Sequence, residues 1–286
     1  MAKQQEVCFV HLGKFGDIMI MLPAFKAVAN EIGKPVICVT SKDFASIFDG
    51  VSYVRPLPLP VHWWRGVAEA RKTAISYGFD PIVVKWWDEP GANPPRTLED
   101  GRTISVTIHG EKRSIPFLEW DSFQASQWRY AGFSMEQLFK WPLIFDRRDP
   151  RREKQLCDYY LKPDRHQVLI NLSKSGTSPF NHSVSAYGLL LRCGLDMVDL
   201  AKIKAQRIYD LLGLYDNAAG MITTDTATLH LAAASNIPYV ALINNGGAGS
   251  IPKGNCVLKV RYSQFQQRQK EIEIAVRNFA RQKVLA

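Results

Sequence analysis

The chain has 286 residues, of which 46% are hydrophobic and 22% are charged, a composition that supports one large or two small globular domains and excludes a disordered protein. Its formal net charge is +9, and the excess lies in two short segments: residues 147–154 carry five basic and two acidic side chains, and residues 253–286 carry eight basic and two acidic. This distribution excludes a uniformly basic, histone-like protein and predicts an anionic partner that meets particular surfaces.

Cysteine usage and the apolar segments narrow the class further. The five cysteines are scattered and form no CxxC pair, which predicts reduced thiols and argues against a disulfide scaffold or a zinc site. No apolar run approaches the ~18 residues of a membrane-spanning helix, and the N-terminus has no signal-peptide pattern. We therefore expect a cytoplasmic protein.

In the first half of the chain, short apolar runs alternate with segments of helical periodicity. Strands are predicted at residues 6–12, 35–40, 51–55 and 81–86, and helices at residues 18–32 and 63–77. This alternation predicts a parallel sheet with both faces covered. Residues 88–118 interrupt it with Pro, Gly and charged residues and are predicted to be a functional or mobile loop, followed by a helix near residues 117–130.

The alternation restarts after residues 147–154 (RRDPRREK), whose charge and proline predict an interdomain linker. Strands are predicted at residues 167–172, 197–200, 221–223 and 238–243, with helices from residue 184 and at residues 203–212 and 229–235. We therefore predict an N-terminal domain over residues 1–146, a second domain over residues 155–263 and a basic C-terminal helix over residues 264–286. Because the linker and the terminal helix hold the excess charge, they predict a docking surface for a polyanion.

The first loop, His11-Leu-Gly-Lys-Phe-Gly-Asp17, joins a predicted strand to a predicted helix. Its spacing matches neither a dinucleotide fingerprint nor a P-loop. Open α/β sheets bind ligands where their strands end, so this loop is a candidate site. Asp17 at the start of the helix is either a cap of that helix or a carboxylate that acts as a general base.

A second loop, Thr223-Thr-Asp-Thr-Ala-Thr-Leu-His230, follows a strand and leads into a helix of small residues. Thr224, Asp225 and Thr226, together with the free amides and dipole of a helix start, predict binding of a diphosphate. His230 either donates to a phosphate oxygen or is an ordinary packed residue.

Two further loops are predicted at the same edge of the second sheet. Lys174, Ser175 and Gly176 after the strand at residues 167–172 form either a phosphate-binding loop or an ordinary surface loop. A glycine-rich loop at residues 244–249 follows the last predicted strand. Several such loops at one edge of the predicted sheet are stronger evidence for a ligand-binding site than any single loop.

The segments HLGKFGDIMIMLPAFKAVAN and TTDTATLHLAAASNIPYVALINN resemble the two ends of glycosyltransferase family 9, the lipopolysaccharide heptosyltransferases. The matching residues are Gly16-Asp17, Leu22-Pro23-Ala24, Asp225-Thr226, His230 and Ala232-Ala233. The resemblance covers residues 5–55 and 165–245 and fades over residues 60–160. Family members usually carry a Lys near a Trp after the first strand of the second domain, where this chain has Pro179-Phe-Asn-His182, and Lys174 is the candidate substitute.

This resemblance implies an α/β fold of the GT-B type, in which two Rossmann-like domains with parallel sheets face each other across a cleft. It implies that the first domain takes the acceptor, that the second takes a nucleotide-sugar donor, and that transfer inverts the sugar without a metal or other cofactor. The sequence has no Asp-x-Asp pair of the kind that holds a divalent metal in other glycosyltransferases. By the same resemblance Asp17 is the base, and Thr226 and His230 hold the diphosphate.

The acceptor is less defined by the sequence. All seven tryptophans lie between residues 63 and 141, and the predicted acceptor site comprises Lys14, Trp86, Trp87 and Asp88, although most of the tryptophans are expected in the core. Asp88 or Glu89 is a rival for the role of base. Lipopolysaccharide core, met at a membrane surface, is one acceptor, and hydroxymethylated bases of viral DNA are another. A non-catalytic module that binds nucleotides or nucleic acid is the alternative of a different class.

Overall fold

The computed structural model describes residues 6–62, 66–84, 103–108, 111–116, 124, 127–128, 131–163, 165–173, 180–244 and 252–284. The chain divides into two compact units, one formed by residues 1–147 with 246–251 and the other by residues 148–245 with 252–286. Each unit holds a parallel sheet with helices packed on it. The predicted α/β class with two Rossmann-like units is therefore confirmed.

The first unit alternates strands and helices from its start. In chain order its elements are β1 (Cys8–Val10), α1 (Phe15–Ile32), β2 (Val36–Ser41), a 3-10 turn (Ala45–Gly50), β3 (Val54–Leu59), α2 (Val67–Ser76) and β4 (Ile82–Val83). The described strands run parallel in the order β3-β2-β1-β4. Both β1 and β2 are buried on both faces, and β1 and the first four residues of β2 are continuous apolar runs of the kind that predicts such strands.

The edge strand β3 differs from its prediction. The sequence predicts a strand over residues 51–55, whereas β3 begins at Val54 and continues through Pro56 and Pro58 to Leu59. The carbonyls of Tyr53 and Leu59 accept hydrogen bonds from the amides of Val36 and Lys42, at 3.1 and 2.9 Å. Backbone groups of odd-numbered residues therefore face β2, and the prolines fall at positions whose missing N–H costs no sheet hydrogen bond.

Part of the predicted loop over residues 88–118 is regular structure. Strands β5 (Thr103–Ile108) and β6 (Glu111–Pro116) form an antiparallel hairpin, followed later by helix α3 (Met135–Lys140). The alternation of polar and apolar residues in these strands is short, and the Pro- and Gly-rich sequence before it favours a loop. Most of the helix predicted near residues 117–130 lies outside the described residues, but Gln127 and Trp128 are helical.

The second unit begins with a helix. Its elements are α4 (Pro150–Tyr160), β7 (Gln167–Asn171), α5 (Ser183–Arg192), β8 (Asp196–Asp199), α6 (Leu212–Asn217), β9 (Gly220–Thr224), α7 (Ala227–Leu231), β10 (Tyr239–Ile243), β11 (Cys256–Arg261) and α8 (Gln269–Val284). The parallel order of the described strands is β11-β10-β9-β7-β8. Helix α8 packs so closely that a Cβ on Gly220 would lie 2.3 Å from the Phe279 ring.

The segment predicted as a linker, residues 147–154, is largely the start of α4. Asp149 caps this helix and Pro150 is its first residue, a position that suits proline because its missing N–H has no helical partner there. Arg148 donates to both carboxylate oxygens of Glu153, at 2.7 and 2.6 Å, and to Asp216 at 2.6 Å. Arg152 pairs with the buried Asp210 at 3.0 Å. These arginines pair with carboxylates of the second unit and hold α4 there, and the polyanion-docking surface stays a prediction.

Two other expectations in the second unit need correction, and one strand is additional. The helix predicted at residues 203–212 is a 3-10 turn at Ile208–Leu211 that leads into α6. Strand β11 was not predicted, and the terminal helix begins at Gln269 rather than at residue 264. Across the described residues, every helix is too short or too polar to cross a bilayer.

Candidate functional site

The loop after β1 places Asp17 in the first turn of α1. The helix begins at Phe15, earlier than predicted, so Asp17 is its third residue. Its Oδ2 accepts the backbone N–H of Lys14 at 2.9 Å, while the side chain stays partly exposed. The carboxylate therefore has a helix-start contact and also reaches the surface at the end of β1, as a general base requires.

Gly13 makes this loop compact. A Cβ at this position would lie 2.3 Å from the Cβ of Asp17 and 2.7 Å from the Cε1 atom of His11. Any side chain at residue 13 would displace one of those two groups. Glycine here is thus required by the close approach of the backbone to the carboxylate and the imidazole.

His11 connects this loop to a distant segment. Its Nε2 atom lies 2.9 Å from Oε1 of Gln127, and its Nδ1 atom accepts the backbone N–H of Gly13 at 3.3 Å. The side chains of His11 and Gln127 are fully buried, and burial lowers the pKa of His11 to about 4. Neither residue has a predicted role in the site, because no local sequence pattern joins positions that are 116 residues apart.

In the second unit, a set of hydroxyl groups joins the ends of β7 and β9 to the start of α7. The Oγ1 atom of Thr228 lies 2.7 Å from that of Thr223 and 2.8 Å from that of Thr226. Asn171, at the end of β7, donates its Nδ2 to Thr228 at 3.0 Å. This network fixes the loop over residues 225–226 on two adjacent strands.

Thr224, a predicted donor-binding residue, is fully buried. Its hydroxyl donates to the backbone carbonyls of Asn171 and Ser173, at 3.2 and 2.9 Å. Its observed contacts therefore attach the loop after β7 to the end of β9.

Asp225 and His230 lie close together beside this network. The Nε2 atom of His230 is 3.9 Å from Oδ1 of Asp225, and the two side chains are 9% and 10% exposed. Burial, with the nearby charge of Lys253, lowers the pKa of His230 to about 4, and burial lowers the pKa of Lys253 to about 8. His230 is therefore neutral near pH 7 and offers one N–H donor, while Lys253 is a cationic neighbour that no sequence pattern indicated.

The remaining predicted site residues divide into two groups. Lys14 is exposed at the start of α1. Outside the described residues lie Lys174, Ser175, Gly176, Trp86, Trp87, Asp88 and Glu89. Of the other tryptophans, the buried Trp128 packs on Trp141 with ring centroids 5.6 Å apart, in line with a core role. Within the described ranges, no three His, Cys, Asp or Glu side chains cluster to hold a metal ion.

Comparison with solved structures identifies the fold. A family 9 glycosyltransferase from Veillonella parvula DSM 2008 is 12% identical over 94% of this chain and 89% of its own, with a TM-score of 0.55. The E. coli ADP-heptose lipopolysaccharide heptosyltransferase II is 12% identical over 98% of this chain and 99% of its own, with a TM-score of 0.62. The E. coli heptosyltransferase WaaC with ADP is 14% identical over 96% and 99%, with a TM-score of 0.52.

No protein-family model matches the sequence, and the curated proteins contain no match to it. The likeness to the solved structures extends over nearly the whole chain, so both units and their order belong to the shared architecture. The expected resemblance to family 9 glycosyltransferases is therefore confirmed at the level of the fold.

Proposed function

We propose that the protein is a glycosyltransferase that moves a sugar from a nucleoside-diphosphate donor to a hydroxyl group of an acceptor. The observation that carries this proposal is the combination, in one heptosyltransferase-like fold, of a carboxylate in the first turn of α1 with a donor-rich loop after β9. The first suits removal of a proton and the second suits an anionic leaving group.

The donor site of this proposal surrounds the end of β9. Ligands of open parallel sheets bind at the carboxyl ends of the strands, and β9 has parallel neighbours on both sides. Thr226 and the neutral His230 supply hydrogen-bond donors to the diphosphate, Lys253 supplies positive charge, and Asp225 orients the imidazole. Thr224 holds the loops in place, and the loop with Lys174, Ser175 and Gly176 adds further phosphate contacts.

The proposed reaction is a single displacement. Asp17 takes the proton of the acceptor hydroxyl as its oxygen attacks C1 of the sugar, and the bond from C1 to the diphosphate oxygen breaks with inversion at C1. The diphosphate leaves with the electron pair, and His230 and Lys253 stabilise its charge. No metal ion takes part, as the lack of an Asp-x-Asp pair in the sequence supports.

The proposed acceptor is a sugar hydroxyl of a phosphate-rich glycan such as lipopolysaccharide core. Lys14, next to the candidate base, contributes positive charge, and Trp86, Trp87 and Asp88 are proposed to contact the acceptor sugar. The alternative acceptor is hydroxymethylated DNA. The basic segments serve either polyanion, and Arg148, Arg152, Arg268 and Arg277 are each paired with a carboxylate of the second unit. The preference for the glycan therefore rests on the likeness of the fold to a lipopolysaccharide heptosyltransferase.

The test is a transfer assay with a panel of nucleotide sugars. One E. coli heptosyltransferase structure contains ADP, so ADP-sugars are tested first, followed by UDP- and GDP-sugars. Acceptors are lipopolysaccharide core oligosaccharide and hydroxymethylated DNA, and mass spectrometry detects the product.

The expected result is a glycosylated oligosaccharide and free nucleoside diphosphate, at an unchanged rate in EDTA. If product forms only on DNA, the acceptor is hydroxymethylated DNA and not the glycan. If EDTA abolishes activity, the transfer requires a metal ion. Nucleotide binding without transfer to any acceptor would identify a non-catalytic binding protein and overturn the proposal.

A further inference from the structure

Two adjacent residues, Gln127 and Trp128, connect a distant segment to both parts of the β1–α1 junction. Gln127 contacts His11, directly after β1. Trp128 donates its Nε1–H to the carbonyl of Ile20 inside α1, at 2.9 Å. Both side chains are fully buried. Hydrogen bonds from these two residues therefore fix the junction that carries Asp17 both where β1 ends, at His11, and within α1, at Ile20.

The hydrogen bonds of His11 specify one tautomer. The backbone N–H of Gly13 has only a proton to give, so Nδ1 must be the unprotonated nitrogen. The proton then lies on Nε2, which donates it to Oε1 of Gln127. A doubly protonated ring would lose the bond to Gly13, so the arrangement requires a neutral imidazole.

The effect of this ring reaches Asp17 through two consecutive backbone amides. The ring fixes the amide of Gly13, and the next amide, that of Lys14, donates to the Asp17 carboxylate at 2.9 Å. Because Gly13 has no Cβ, the ring, the turn and the carboxylate pack against one another directly. Rotation of the ring would therefore move the turn that orients the carboxylate.

The polar pair is kept in the core at a cost to stability. The Nε2 atom of Gln127 is buried without a hydrogen-bond partner, and so is the Oγ1 atom of Thr40. The register that pairs Val10 with Val39 places Thr40 beside His11 on the neighbouring strand. Apolar side chains in place of His11 and Gln127 would remove the unsatisfied Nε2 of Gln127 but would leave the buried N–H of Gly13 without its acceptor, so the pair is needed to hold that amide.

We infer that His11, held by Gln127, is a positioning residue that fixes the Gly13–Asp17 turn so that the Asp17 carboxylate meets the acceptor hydroxyl. This inference rests on the proposed function, because it gives Asp17 the role of base. His11 contacts no substrate in this scheme and acts only through the turn.

The kinetic test uses the double variant His11→Leu with Gln127→Leu, which removes the bond between the two side chains and leaves the buried N–H of Gly13 without its acceptor. The melting temperature should fall because that amide loses its partner, while the KM for the donor stays unchanged and kcat falls by about 10- to 100-fold because the base is misplaced. Thr40→Val is the matched control, since it removes a buried hydroxyl on the adjacent strand, and it should keep full kcat. A folded double variant with full kcat would overturn the inference.

A double-mutant cycle separates positioning from general damage. In a background of Asp17→Asn, the paired leucines should lower kcat little further, because the group they position is already gone. A full additional loss in that background would show that His11 acts by another route and would overturn the inference.

A measurement independent of activity completes the test. The ¹⁵N chemical shifts of the His11 ring in the full-length protein should identify Nε2–H and an unprotonated Nδ1 from pH 5.5 to 8. A proton on Nδ1 would overturn the positioning even if the protein is a fully active glycosyltransferase. Absence of transfer by the wild-type protein would instead overturn the proposed function, and with it the catalytic consequence of the turn.

Discussion

The loops after β1 and after β9 occupy corresponding places in the two units and are built from opposite chemistry. Each follows a strand with parallel neighbours on both sides and leads into a helix. The first is organised around a carboxylate, which backbone amides and a neutral imidazole hold in place. The second is organised around threonine hydroxyls, an imidazole and a nearby ammonium group. One strand–loop–helix frame thus presents a proton acceptor in one unit and donors to an anion in the other.

The largest expected effect concerns the loop after β1, which carries the proposed base Asp17. Asp17→Asn keeps an oxygen that accepts the Lys14 amide but removes the basic group, so we expect turnover to fall by about 100- to 10,000-fold. Binding of the nucleoside diphosphate, measured by calorimetry, should be unchanged. The same substitution at the exposed Asp43 is the control, and equal turnover in both variants would remove Asp17 as the base.

The second expected effect is on the hydroxyl network. Thr228→Val removes the hydroxyl that three neighbours share and leaves Asn171 short of a partner, so the free energy of unfolding should fall by about 3 kcal/mol. Urea denaturation measures this change. Thr228→Ser keeps the hydroxyl and should recover most of the stability. A loss as large in the serine variant would assign the effect to packing of the methyl group.

The third expected effect is a loss of stability in mild acid. His11 and His230 each have a folded-state pKa of about 4, below the ordinary value near 6.5. The unfolded chain therefore binds more protons between these values, so the stabilisation is complete above pH 6.5 and is lost as pH falls toward 4. From pH 7.5 to 5.5 the free energy of unfolding should drop by about 1 kcal/mol for each histidine.

Urea denaturation at several pH values provides the measurement for this acid dependence. The variant His230→Asn should retain half of the slope, and a substitution of the exposed His166 should leave the slope as it was. An unchanged slope in His230→Asn would mean that His230 is already protonated in the folded protein near pH 6.

The smallest expected effect concerns His230 as a ligand. His230→Ala should weaken binding of the nucleoside diphosphate by about tenfold, as the loss of one hydrogen bond to a charged group predicts. Calorimetry with ADP, UDP and GDP measures it, and His166→Ala is the matched control. Equal affinity in both variants would leave His230 as a packing residue and move the anion site to Lys253 and the loop after β7.

The sequence predicted the alternation of strands and helices and the positions of Asp17 and His230 because both depend on local patterns. Strands buried on both faces are continuous apolar runs, and glycines and hydroxyl residues mark the loops that follow them. The pairing of His11 with Gln127 had no such signal, since tertiary packing alone brings those positions together. Thr224 shows a related limit: its residue type suits a phosphate, but its hydroxyl donates to backbone carbonyls.

Two element errors have physical reasons. The proline and charges of residues 147–154 are as common at a helix start as in a linker, and only the capping contact of Asp149 distinguishes the two. Strand β11 carries a lysine and an arginine and buries Val260 alone, a weak pattern for a strand that pairs only with β10 among the described strands.

The two prolines of β3 also affect how the protein behaves at high concentration. The outer edge of a sheet is a row of backbone donors and acceptors onto which a strand of another molecule can add. Among the described strands β3 lies at an edge of its sheet, and Pro56 and Pro58 occupy two of its three outward-facing positions, where they contribute no N–H. A second chain that approached this edge would find carbonyls but two missing donors. The edge is therefore protected against intermolecular strand addition and the aggregation that it starts.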